Sequence, residues 1–210
     1  MMNLEFDRYV NSPYFRAQSF ILNNHPNYLN SYIDSVSEGQ HESKIWMIRQ
    51  LEKTCNFVVP IKIEIIGGWF GFPLIEMLNF AFKIDQIDFF ELDETCKKIF
   101  AQYTNFFNYN YKISVFDDYF DREEIRRRHL IINTSSEHMR DVVVMKKFYK
   151  DYPFKPILVL QSNNYFNLPE HVNCVHSAEE LIQKNQIKKV LYSGKMKMNN
   201  YTRFMVIGQW

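Results

Sequence analysis

Residues 63–72 read IEIIGGWFGF. An isoleucine-rich run enters a glycine pair, then a tryptophan, then a third glycine. β-Branched runs of this length favour strand, and Pro73 suits a first helical turn directly afterwards. The stretch therefore reads as strand, tight turn, helix. Glycines in such a turn either let a ligand approach the backbone or let helix and strand pack closely. Both readings stand on these residues alone.

Outward from this stretch, short apolar runs alternate with helix-compatible segments. Strands are expected at 61–67, 86–92, 111–117, 129–135, 156–162, 188–194 and 201–209, with helices at 73–83, 94–106, 121–127, 138–150 and 177–185. Alternation of this kind requires crossover connections and a largely parallel sheet covered on both faces. Only KMKMNN separates the last two strands, which is too short for a crossover, so they pair antiparallel. The fold class is α/β: a doubly wound seven-stranded sheet, mostly parallel, with a C-terminal antiparallel hairpin and helices on both faces. Residues 1–55 have few β-branched runs and read as a helical N-terminal cap on the same domain, with 56–210 forming the sheet domain. Ser43 is the expected N-cap of a helix carrying Ile45, Ile48 and Leu51.

The 210 residues suit one domain, and 46% hydrophobic with 17% aromatic residues supplies a substantial core. A net charge of +1 argues against a dedicated electrostatic clamp for long nucleic acid. Cys55, Cys96 and Cys174 are far apart and lack CxxC spacing, which points to a reducing compartment and no zinc site. No basic-then-apolar leader opens the chain and no apolar run reaches the ~20 residues of a membrane span. A cytoplasmic protein is expected.

In an open parallel sheet, ligands bind beyond the carboxyl ends of the strands, near the point where strand order reverses. Glu91 closes the second strand roughly 20 residues after the glycine turn, where an acid accepts from both hydroxyls of a ribose. Asp93 and Glu94 read instead as cap and first-turn acid of the next helix. Asp117 and Asp118 end the third strand, as acceptors for an adenine amino group or as a helix start.

The series EIIGGWFG, FFELDETC, ISVFDD and LIINTSSEH, in this order and spacing, resembles the class I, Rossmann-like S-adenosylmethionine-dependent methyltransferases over about residues 43–209. It looks most like the small enzymes of this family that phages and bacteria carry. The resemblance implies S-adenosylmethionine as cofactor, with Gly67, Gly68 and Gly71 at its methionine part, Glu91 at the ribose and Asp117 at adenine. The chain departs from the family's acid-x-Gly-x-Gly-x-Gly turn: Ile65 takes the place of the acid and Trp69 that of the middle glycine. Either the turn is bulged so that Glu64 reaches the ligand, or that acidic contact is missing. Trp69 forms a wall beside the sulfonium, where a cation over an indole face is favourable, or packs under the N-terminal helices.

Methyl transfer from a sulfonium is an in-line displacement, so the protein mainly aligns the acceptor and excludes water. Asn133, Glu137 and His138 follow the fourth strand, where the acceptor belongs, and a histidine beside an acid suits a general base. Nucleic-acid amino methyltransferases have prolines and a stacking aromatic here. Thr134, Ser135 and Ser136 stand in those places, so that activity is not supported. Glu137 and His138 together with His171 and His176 fit no ligand spacing, and no metal is assigned. Asn163 and Tyr165 after the fifth strand, with Lys195 and Tyr201 in the final hairpin, are expected to bind the acceptor; Lys195 and Lys197 read equally as edge lysines that discourage strand pairing. The acceptor is expected to be a small molecule or nucleotide. An NAD or nucleotide-sugar enzyme is disfavoured by the missing middle glycine and the terminal hairpin. A catalytically inactive methyltransferase-like binding subunit is the alternative.

Overall fold

The computed structural model describes residues 12–107, 109–120, 128–150 and 152–210. The expected helix at 121–127 lies outside them. Among the described residues, three α-helices precede the sheet: α1 (Pro13–Asn24), α2 (Leu29–Ser35) and α3 (Glu38–Thr54). There follow β1 (Ile61–Ile66), α4 (Leu74–Ala81), β2 (Ile84–Phe90), α5 (Glu94–Phe106), β3 (Lys112–Phe116) and β4 (Leu130–Asn133). Two 3₁₀ segments (Ser136–His138, Val142–Tyr149), β5 (Ile157–Asn163), α6 (Ala178–Lys184), β6 (Lys189–Lys197) and β7 (Thr202–Gln209) complete the chain.

The seven strands lie in the order β3-β2-β1-β4-β5-β7-β6. The first five are parallel, and β7 inserts antiparallel between β5 and β6. Strand order reverses between β1 and β4, which opens a crevice at their carboxyl ends. Alternation along the strands sends Ile63 and Ile65, with Phe89 and Ile132, against α3, α4 and Phe100 of α5. Ile66, Ile131, Leu158 and Leu160 face the other way, onto the second 3₁₀ segment and Leu181 of α6. A third apolar cluster joins Ile21 and Tyr32 of the N-terminal helices to Phe70, Phe72 and Tyr103. The N-terminal helices are thus anchored on the glycine turn itself.

Two local expectations are corrected. Helix α3 starts at Glu38 behind Ser37, not behind Ser43. Ser43 is buried inside the helix, where its hydroxyl donates to the Gln40 carbonyl. The polar first turn EGQHES hid that start, because helix periodicity is visible only where apolar residues mark it. Residues 142–149 form a 3₁₀ segment where an α-helix was expected. Val142, Val143 and Val144 lose χ1 freedom against a preceding α turn.

Glu64 and Asp88 are register partners on β1 and β2, and both are buried. The Arg128 guanidinium pairs with both carboxylates, lying 3.6 Å from Glu64, and the Tyr149 hydroxyl donates to Glu64. The β1–β4 register is regular, so Glu64 is not bulged toward the crevice.

Candidate active site

A cleft of about 870 Å³ runs along the carboxyl ends of the strands and is roofed by residues of α2 and α3. Its first wall is the glycine turn. The N–H groups of Gly67 and Gly68 both donate to the Phe90 carbonyl, tying the turn to the end of β2. Gly67 and Gly71 have φ of +61° and +77°, the left-handed region that glycine enters without strain. Trp69, at the family's middle-glycine position, has φ of +55°. Its strain is offset by stacking on Phe70 (5.2 Å between centroids) and by donation of its N–H to Glu91.

The glycines differ in purpose. Gly67, Gly68 and Trp69 line the cleft. Gly71 does not: a Cβ there would come 2.5 Å from the Phe100 ring, so this glycine serves helix packing. Gly68 lines the cleft and also packs closely on β2, since a Cβ there would overlap the Phe89 ring.

Glu91 lies at the cleft, one residue beyond β2. Its Oε2 accepts from the Trp69 N–H (2.7 Å) and its Oε1 from the Asp93 N–H (3.0 Å). Each oxygen keeps a further lone pair for a ligand hydroxyl. Partial burial raises its pKa, against the lowering effect of these N–H donors. Asp93 caps α5 by accepting from Thr95 and Cys96. Asp117 lines the cleft with an 80% exposed side chain that pairs with Lys97. Leu92, Tyr119 and Phe120 give this end of the cleft an apolar and aromatic lining.

At the other end, Glu137 is 3% exposed. Its Oε1 accepts from Asn163 (2.7 Å) and lies 3.9 Å from the Arg203 guanidinium. Arg203, projecting from β7, also donates to the Thr134 carbonyl and the Tyr201 hydroxyl. Tyr165 and Tyr201 stack at 5.7 Å. Lys44 of α3 is 6% exposed, and its Nζ donates to Gln40 (2.6 Å). Burial, with Arg203 next in effect, pushes its pKa down to about 7.

Of the acceptor-side residues expected, Glu137, His138, Asn163, Tyr165 and Tyr201 all line the cleft. Asn133 and Lys195 are corrected. Asn133 is 1% exposed and closes a turn by accepting from the Ser135 N–H, with its amide turned to Met139. Lys195 is exposed on edge strand β6, outside the cleft lining. Reasoning from strand ends missed Lys44 and Arg203. Each left a trace: Lys44 stands four residues before Ile48 on an apolar helix stripe, and Arg203 precedes the run FMVI in a buried strand.

No protein-family model and no curated protein matches the sequence. Solved structures do match the fold. Magnesium protoporphyrin IX methyltransferase from Synechocystis PCC 6803, with bound SAH, superposes with a TM-score of 0.59 at 10% identity, over 81% of this chain and 83% of that one. M. capricolum TrmK, in complex with its natural cofactor product S-adenosyl-homocysteine, gives 0.52 at 10% identity, over 78% and 67%. A SAM-dependent methyltransferase from Aquifex aeolicus gives 0.54 at 11% identity, over 77% and 88%. The chain has the fold of the class I methyltransferases.

Proposed function

We propose that this chain is an S-adenosylmethionine-dependent methyltransferase acting on a small-molecule or nucleotide acceptor. The observation that carries the reading is one continuous cleft, at the strand-order reversal of a methyltransferase-type sheet. It joins a glycine turn and a second-strand acid to a buried polar cluster at the far end. The residues fit the cofactor. Gly67 and Gly68 leave backbone bare along the cleft, Glu91 keeps acceptor capacity for ribose hydroxyls, and Leu92 with Phe120 offers apolar faces to a base. Asp117 is the acid placed for the adenine amino group. Glu64 has turned away, so the methionine end lacks a carboxylate from β1; Trp69 is the wall nearest that end.

When bound, the cofactor supplies an electrophilic methyl group. The chain's own residues orient the acceptor and manage its proton. The Tyr165–Tyr201 stack presents a flat face, and Arg203 and Asn163 hold the Glu137 carboxylate in place. Lys44, with a pKa near 7, is suited to accept a proton from the acceptor at neutral pH. The roof from α2 and α3 favours a compact acceptor over a polymer, and the cleft is within the usual size of a small-molecule site.

Calorimetric titration with S-adenosylhomocysteine tests the reading. Stoichiometric binding that weakens in a Gly67→Val variant is expected. The turned-away Glu64 favours the second reading, a catalytically inactive binding subunit, and absence of binding by the folded wild-type chain would establish that reading instead.

A further inference from the structure

Glu137, His138 and His171 come together at the acceptor end of the cleft although 33 residues separate the two histidines. One ligating atom from each lies within 4.8 Å of the others. The two rings meet edge to face at 4.7 Å between centroids. The hydrogen bonds around them define what each can offer. His138 Nδ1 lies 3.2 Å from the Glu170 carbonyl oxygen, and His171 Nδ1 lies 2.7 Å from that of Tyr165. A carbonyl oxygen only accepts, so both Nδ1 atoms carry the proton and donate. Both Nε2 atoms are then left with a bare lone pair. Backbone carbonyls fix the tautomer of metal-binding histidines in this way.

The carboxylate is prepared in the same sense. Glu137 Oε1 is engaged by Asn163, with Arg203 beyond it on that side. Oε2 is buried and has no hydrogen-bond partner. A buried carboxylate oxygen left without a donor is costly unless a ligand completes it. His176, by contrast, stacks on Phe166 and takes no part.

We propose that Glu137, His138 and His171 bind a divalent transition-metal ion whose remaining coordination positions face the cleft and hold an oxygen of the methyl acceptor. Two imidazoles and one carboxylate form an N/O donor set that suits Mn²⁺, Co²⁺ or Zn²⁺ and leaves positions open. The acceptor is then one that carries a metal-binding oxygen, such as a hydroxyl or carboxylate. This acceptor role rests on the methyltransferase reading; the metal site itself does not.

The test is titration of the full chain with Co²⁺, followed by visible absorption, and with Mn²⁺, followed by electron paramagnetic resonance. His138→Ala, His171→Ala and the double variant are measured in parallel. One equivalent of tightly bound ion is expected, weakened at least about tenfold by each single substitution. His138 is exposed, so its variant keeps the fold, and S-adenosylhomocysteine titration of the same samples reports separately on the cofactor end. No binding by the wild type at millimolar ion, or binding that ignores both histidines, overturns the site. Metal binding without S-adenosylhomocysteine binding keeps the site and overturns its role in methyl transfer.

Discussion

Replacing Glu91 tests the proposed ribose contact and the stability of the turn, and the two effects can be measured apart. Two backbone N–H groups, of Trp69 and Asp93, donate to it at 2.7 and 3.0 Å. Glu91→Ala leaves both without that acceptor. A polar group left unsatisfied costs about 1–3 kcal/mol, and water reaches this partly exposed position, so the lower half of that range is expected. For a domain of this size that lowers the melting temperature by roughly 2–8 °C. If Glu91 holds the cofactor ribose as proposed, loss of its charged hydrogen bonds removes a further ~1.5–3 kcal/mol from binding, a factor of roughly 10–150 in Kd. Glu91→Gln refines the experiment. The amide keeps one acceptor oxygen, so one of the two N–H donors must face an NH₂ group. It should destabilise less than the alanine variant and still weaken binding. Calorimetry with S-adenosylhomocysteine and thermal unfolding by circular dichroism measure the two effects. Burial raises the Glu91 pKa, so affinity should begin to fall on acidification at a higher pH than for a solvated glutamate. An alanine variant that is folded and binds like wild type would refute the ribose assignment.

Gly71→Ala should destabilise the fold by about 2–4 kcal/mol, from left-handed strain and overpacking against Phe100; urea unfolding reads this directly. Asn133→Ala should cost about 1 kcal/mol of stability through the lost turn hydrogen bond and leave S-adenosylhomocysteine affinity unchanged in calorimetry. Lys44 has a folded pKa of about 7, depressed from 10.5, so its burial penalty is full below pH 7 and fades as pH rises toward 10.5. Lys44→Met should therefore gain most over wild type at pH 6 and least at pH 10, which urea titrations at both pH values check. Lys195→Ala, on the edge strand away from the cleft, should leave acceptor KM unaltered at low and moderate salt.

The strand–helix alternation, the antiparallel final pair and the glycine turn were legible in the sequence because each is a local pattern. Side-chain period, loop length and φ-permissive residues act over a few neighbours, and the seven strands follow from them. Asp93 as a cap was legible for the same reason. The start of α3 was not, since its first turn has no apolar marker, and the valine run at 142–144 resists the α-helix its flanks imply. Position along the strands also placed Glu91 and Glu137 at the cleft. Strand alternation already turns Glu64 away from the crevice; what only the assembled fold supplies is Arg128, which pairs there with it and with Asp88. Packing likewise decided the far end of the cleft. Lys44 from α3, Arg203 from β7 and His171 from the segment after β5 come into one cleft with Glu137 only when the sheet is assembled, because sequence separation carries no information about which strand ends become neighbours. Residue types at strand ends determined where a site belongs; packing between distant elements decided which side chains furnish it.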